Sequence, residues 1–246
     1  MEHENSTDSS LVLSYLSLRK AIGYIGIALP FVLAFGNLLL PKKPGMPGSI
    51  SAYYYTNMGN VFVGSLCAIG IFLFSYRGYD EKDNRAGNLA CLFALGVAMF
   101  PTTPEPDLSM SQNITGPHII GIFHQIFAAS LFLTLAYFCL KLFTKSKETD
   151  PIQEREPVED RLTRSEPKTP QKDQRNTLYK VCGYGILNCI GLIIVCEGLF
   201  LNTWSPFPTC PIVIFDPVFW LESIAIFAFG FSWLVKGEAI LADVET

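Results

Sequence analysis

Charged side chains are scarce in this sequence, which excludes most classes of soluble protein. Asp, Glu, Lys and Arg together make up 16% of the 246 residues, whereas a soluble globular domain usually contains about 25%. Apolar residues make up 50% of the chain, and phenylalanine alone occurs 19 times. The composition predicts a polytopic membrane protein, for which we expect no nucleic-acid partner.

Motifs of catalysis and metal binding are also lacking. The chain has three histidines, and no two of them have the HxxxH or HExxH spacing of zinc enzymes. The seven cysteines are scattered, without a CxxC or zinc-finger pair. A P-loop, a dinucleotide fingerprint and a nucleophile elbow are all absent. The sequence therefore predicts no catalytic residue, no metal and no cofactor, and it favours a protein that is not an enzyme.

Long apolar runs are present instead, and they define the expected fold. A helix needs about 20 mainly apolar residues to cross a bilayer, and only helices or closed barrels satisfy the backbone there. We count six such runs. They cover about residues 21–40, 58–76, 86–100, 118–140, 181–201 and 211–235. The sequence thus predicts an all-α fold, a polytopic bundle of six transmembrane helices.

Basic residues predict the orientation of this bundle, because Lys and Arg accumulate in cytoplasmic loops. With the N-terminus inside, only Lys42 and Lys43 of the 18 basic residues fall in outer loops. Both termini are therefore expected to be cytoplasmic. The polar start of the chain and the long first run do not resemble a cleavable signal peptide. We expect a multi-pass protein of a plasma or inner membrane.

Composition also divides the chain into segments. Residues 1–17 form a polar cytoplasmic tail, and 18–143 contain the first four helices. Residues 144–177 are rich in charge and proline and have little to bury, which predicts a disordered cytoplasmic linker. Residues 178–236 contain the last two helices, and 237–246 form a cytoplasmic tail.

Polar residues collect near the outer ends of the predicted helices. An ionisable side chain at membrane depth costs a few kcal/mol or more and usually faces the bundle interior or a wet cavity. Glu222 is the deepest of these groups and must be protonated, paired or hydrated. Asp216, just before Pro217, has the alternative role of capping the start of the sixth helix. The candidate ligand-binding residues are Ser51, Tyr54, His118, His124, Glu197, Asp216 and Glu222.

Helical spacing shows that no single helix presents two of these groups as a ligand pair. A site would have to form between helices, where a histidine meets Glu197, Asp216 or Glu222. The structural alternative is that the histidines and Tyr54 are interfacial anchors and that Glu222 hydrogen-bonds a neighbouring helix.

One resemblance adds to this pattern. The stretches YRGYDEKDNRAGNLACLFALGVAMFPTTP and HIIGIFHQIFAASLF, together with a long inner linker after the fourth run, resemble the Frag1/DRAM/Sfk1 and DUF998-type group of six-span membrane proteins. The resemblance covers about residues 18–143. It implies a role in lipid handling or membrane organisation, and it carries over no catalytic residue.

Three functions remain open at this point. The first is an outward-facing polar pocket that binds a lipid or small molecule without catalysis, with membrane lipids as partners. The second is a proton-coupled transporter or channel that uses Glu222 and a histidine. The third is an intramembrane metal-dependent lipid hydrolase, which is disfavoured because no histidine follows His124. Each is compatible with a homo-oligomer.

Overall fold

The structure is a computed structural model, and it describes most of the chain. The described residues are 2–42, 45–78, 80–103, 115–145, 170–201 and 216–241. Within these ranges every regular element is a helix and no strand occurs. The all-α fold class predicted from the sequence is therefore confirmed.

Six α-helices follow one another along the described residues. They are α1 (Glu2–Leu39), α2 (Gly59–Ser75), α3 (Glu81–Met99), α4 (Thr115–Tyr137), α5 (Pro170–Leu201) and α6 (Pro217–Lys236). A short 3₁₀-helix, Ser51–Tyr55, precedes α2. A π-helical turn, Phe138–Leu142, continues α4.

Three helix starts differ from the sequence-based expectation. α1 begins at Glu2, inside the segment assigned to a polar tail. α5 begins at Pro170, so residues 170–177 are helical and not linker; proline at the first position, an acidic Asp173 in the first turn and a run of good helix formers explain this start. α6 begins at Pro217 because Asp216 and Pro217 form a helix start. Thr144 and Lys145, the first two residues of the predicted linker, are described as well, and its residues 146–169 lie outside the described residues.

The α-helices form a closed arrangement in chain order. Each one packs against the next, and α6 returns to pack against α1. The α1–α6 contact is close because both helices carry glycine where they cross. A Cβ atom on Gly230 would lie 2.8 Å from the carbonyl oxygen of Gly23 and 2.9 Å from the amide nitrogen of Ile27. Small residues of this kind let helix backbones approach in membrane proteins.

An aromatic cluster fills the core at the end of α6. Trp233 is fully buried, and its ring centroid lies 5.1 Å from that of Tyr76 and 5.2 Å from that of Phe143. The π-helical turn is closed by a 2.8 Å bond from the Phe143 amide to the Phe138 carbonyl oxygen. In an α-helix, residues five apart point about 140° away from each other. The wider turn brings Phe138 and Phe143 onto one side, where both contact Trp233.

Four stretches of the described helices are long and apolar enough to cross a membrane. They are Tyr15–Leu39, Ile119–Leu142, Gln171–Cys196 and Pro217–Lys236. α2 is also apolar but has 17 residues, and α3 begins with several charged residues. Large apolar side chains such as Leu38, Leu39 and Ile194 are more than half exposed. Surface of this kind requires an apolar environment, which indicates a membrane-embedded protein.

Candidate functional site

The segment that follows α1 folds back onto the first turns of α6. The Phe219 amide donates to the Gly48 carbonyl oxygen over 3.0 Å, and the Ile50 amide donates to Oε2 of Glu222 over 2.6 Å. The Ser51 hydroxyl lies 3.5 Å from Oε1 of the same carboxylate. The first N–H groups of a helix have no partner within it. The Glu222 carboxylate therefore secures the start of the 3₁₀-helix.

Glu222 lies within a candidate membrane span and is half-buried. It follows Pro217 by five residues, which corresponds to about 8 Å along the helix axis. At that depth a carboxylate needs hydrogen-bond donors or a proton. The Ile50 amide is such a donor, so Glu222 is paired, which was one of the states expected for it.

A cavity of about 50 Å³ lies beside this contact, between the helices. It is several times larger than the roughly 10–15 Å³ that one water requires. Ser51 and Glu222 line one part of it, and Ile226 and Phe229 lie about one and two turns deeper on α6. The remaining walls are apolar and come from α1, α2, α3 and α4; they include Leu29, Leu66, Ile69, Val97 and Leu135.

His124 has a different neighbourhood. Its side chain is 1% exposed, and Nδ1 lies 2.6 Å from the carbonyl oxygen of Phe100. Because a carbonyl oxygen only accepts, Nδ1 carries the proton and donates it. The bond joins α4 to the residue that ends α3, where Pro101 stops the helix. His124 is not among the residues that line the cavity with Glu222.

The other predicted site residues are dispersed, or their side chains lie outside the described residues. Tyr54 is half-buried, and its ring packs edge-on against Tyr55 with centroids 5.2 Å apart. Asp216 occupies the N-cap position of α6, which was the alternative to a role in binding, but its side chain accepts no capping bond. The side chains of His118 and Glu197 lie outside the described residues. Of the seven predicted residues, the structure brings together Ser51 and Glu222.

A second polar cluster lies at the opposite end of α2 and joins α3 to the end of α4. The Lys145 ammonium is 2.9 Å from Asp80 Oδ2 and 2.9 Å from Oδ1 of the fully buried Asp83. Asp80 also caps α3, since Oδ1 accepts the Asp83 amide over 3.0 Å. The hydrogen bond from Lys145 holds the pKa of Asp80 below its usual value of 3.8.

The partner of these carboxylates was not evident from the sequence. The loop 77–85 carries Arg77 and Arg85, which favour a salt-bridged turn closed within the loop. Arg85 does form a pair within this stretch, with Glu81 over 2.7 Å. The cation that binds the two aspartates is Lys145, which comes from more than 60 residues away. The spacing of residues along the sequence does not reveal a contact between residues this far apart.

The described side chains contain no group of three or more His, Cys, Asp and Glu residues that could hold a metal ion. Comparison of the chain with protein-family models, with curated proteins and with solved structures gave no match. Membership of the six-span group that the sequence resembles therefore stays a prediction.

Proposed function

We propose that this chain is a multi-pass membrane protein that binds a lipid or another small amphiphilic molecule beside Glu222, without catalysing a reaction on it. In this proposal all six helices cross the membrane and both termini are cytoplasmic. The observation that carries the proposal is a carboxylate within a membrane span that lines an otherwise largely apolar cavity.

The arrangement of the lining favours an amphiphile. Glu222 and Ser51 supply the polar part, and the walls deeper along α6 are apolar, with Ile226 and Phe229. A carboxylate accepts hydrogen bonds, so the matching ligand group is a hydroxyl or an amine and not a phosphate. At 3.5 Å the Ser51 contact to Glu222 is weaker than the contact of the Ile50 amide, and it is the one that a ligand donor would replace.

The size of the cavity restricts the ligand further. A cavity of about 150 Å³ in another protein binds benzene, whereas this one measures about 50 Å³. The part of the ligand that enters must therefore be slim, such as the end of an alkyl chain. A bulkier group would require the surrounding helices to separate.

Native mass spectrometry of the detergent-purified full-length protein tests this proposal. The wild type should retain a lipid or another small amphiphilic molecule, and the molecule should be lost from Glu222→Gln and from Leu66→Phe, which fills the cavity. Asp216→Asn is the matched control, because Asp216 is the N-cap residue of the same helix but does not line the cavity. Equal retention in all four proteins, or no retained molecule in the wild type, would overturn the proposal.

Proton-coupled transport is the second candidate, and the same ionisable Glu222 within a span favours it. It predicts proton flux in liposomes containing the purified protein, measured with an enclosed pH-sensitive dye. Flux that is present in the wild type and absent from Glu222→Gln would replace the binding proposal. Flux equal to that of protein-free liposomes would remove the transporter.

A further inference from the structure

A groove on the outer surface of the bundle separates α3 from α4. Its volume is about 400 Å³, which is large enough for a small polar headgroup. The groove lies near the end of the bundle where Lys145 pairs with Asp80 and Asp83. Its lining combines basic, aromatic and apolar side chains: Lys82, Arg85, Leu89, Leu133 and Tyr137.

The groove changes from polar to apolar along both walls. On α3, Lys82 and Arg85 lie in the first turns, and Leu89 follows Arg85 by one turn, about 6 Å along the axis. On α4, Tyr137 lies at the same end as the bases, and Leu133 is one turn away from it. Leu89 is 47% exposed and Leu133 is 52% exposed. A phospholipid has the same order, with a charged phosphate followed by apolar chains.

The other charged groups at this end of the bundle leave Lys82 and Arg85 accessible to a ligand. Lys145 engages Asp80 and Asp83, so these carboxylates already have a cation. Arg85 pairs with Glu81, but both side chains are more than 70% exposed. Exposed pairs of this kind contribute little to stability, so Arg85 can exchange Glu81 for another anion with little loss. Lys82 is exposed beside it.

We propose that the groove between α3 and α4 binds one anionic glycerophospholipid from the leaflet at this end of the bundle. The phosphate lies between Lys82 and Arg85, and an acyl chain runs along Leu89 and Leu133. Tyr137 lies at the level of the headgroup, where amphipathic rings are favoured. Basic pockets between transmembrane helices are known to bind anionic headgroups. The site is separate from the cavity at Glu222.

Titration of the purified full-length protein with phosphatidylglycerol, followed by native mass spectrometry, tests the groove. Phosphatidylcholine with the same acyl chains is the comparison lipid. Lys82→Gln and Arg85→Gln should each weaken phosphatidylglycerol binding by about fivefold, the factor that corresponds to about 1 kcal/mol per basic residue. Lys180→Gln, an exposed base on α5, is the matched control and should bind like the wild type.

Leu89→Trp keeps both charges and fills the apolar part of the groove. It should weaken phosphatidylglycerol binding, whereas inorganic phosphate at millimolar concentration should not displace the lipid from the wild type. The proposal fails if Lys180→Gln loses as much binding as Arg85→Gln, since binding would then follow net charge. It also fails if phosphatidylcholine binds equally well, or if phosphate competes and Leu89→Trp has no effect.

Discussion

At the scale of single residues, two polar side chains at membrane depth are held by backbone groups from another element. Glu222 accepts the Ile50 amide, and His124 donates to the Phe100 carbonyl oxygen. An unpaired polar group in such a place is costly. Each side chain therefore stabilises a point where the chain leaves a helix or enters one. Of these two side chains, Glu222 also lines the cavity and His124 does not. Glu222 is therefore the candidate binding residue, and His124 has a structural role.

We predict that His124→Ala lowers the stability of the protein without affecting the ligand at Glu222. The substitution leaves the Phe100 carbonyl oxygen without its donor, which costs about 1–3 kcal/mol. Thermal unfolding in detergent should show a lower midpoint, while native mass spectrometry should show the same retained molecule as in the wild type. Loss of that molecule at an unchanged midpoint would instead make His124 part of the binding site.

At the scale of elements, helix pairs are held by contacts that depend on very small residues or on single ion pairs. α1 and α6 cross at Gly23 and Gly230, where backbone atoms of one helix face the other. α3 and α4 are joined at one end by Lys145, which reaches Asp80 and Asp83. The first contact tolerates no added atom, and the second depends on the charge of its members.

We predict that Gly230→Ala destabilises the bundle. The added Cβ would lie 2.8 Å from a carbonyl oxygen of α1, so the two helices must move apart, at a cost of roughly 1–3 kcal/mol. Gly64→Ala in α2 is the matched control because no atom lies within 4 Å of its Cβ position. It should match the wild type or exceed its stability, since alanine favours a helix over glycine. Equal thermal midpoints for the two variants would contradict the close crossing.

We predict that the contribution of Asp80 to stability disappears in acid. Lys145 lowers the pKa of folded Asp80 below 3.8, so the unfolded chain takes up the proton first as the pH falls. The stabilisation is present at neutral pH and is lost as the pH drops below about 3.8 and through the folded-state pKa. The difference in thermal midpoint between wild type and Asp80→Asn should shrink over that range.

Asn still caps a helix, so this variant removes the charge and retains the cap. Glu81→Gln, which removes the exposed pair with Arg85 and leaves the contacts of Lys145 in place, is the control and should stay close to the wild type at every pH. A difference for Asp80→Asn that does not change down to the lowest accessible pH would exclude a charge effect.

At the scale of the whole molecule, α3 is not among the four helical stretches that are long and apolar enough to cross a membrane. Its apolar part, residues 86–99, has 14 residues, which corresponds to about 21 Å of helix, whereas a bilayer core is about 30 Å thick. α3 nevertheless packs against α2 and α4, and its charged first turns lie at the end where Lys145 also lies. The number of membrane crossings therefore depends on the path of α3 and of the 17-residue α2.

We predict that reporter fusions place the loop at Lys42 outside and the C-terminus inside. Alkaline phosphatase inserted after Lys42 should be active, and a fluorescent protein fused to the C-terminus should fluoresce, because each folds on one side of the membrane only. If the fluorescent protein at the C-terminus is dark and alkaline phosphatase fused at the same place is active, the number of crossings is odd. In that case α3, with its short apolar part, is the first helix to examine.

The sequence by itself determined the all-α class and the approximate position of each helix. The free energy of transferring a segment into a membrane is a sum over its own residues, so it can be judged without knowing which helices are its neighbours. The same local reasoning identified Glu222 as an ionisable group at depth. It could not identify the Ile50 amide, 172 residues away, as the donor to Glu222, or Lys145 as the partner of Asp83. Those contacts depend on how each helix is rotated and on which faces pack, and only the tertiary structure decides that. For the same reason the sequence grouped His124 with Glu222, whereas the packing of α4 against α3 turns His124 towards Phe100.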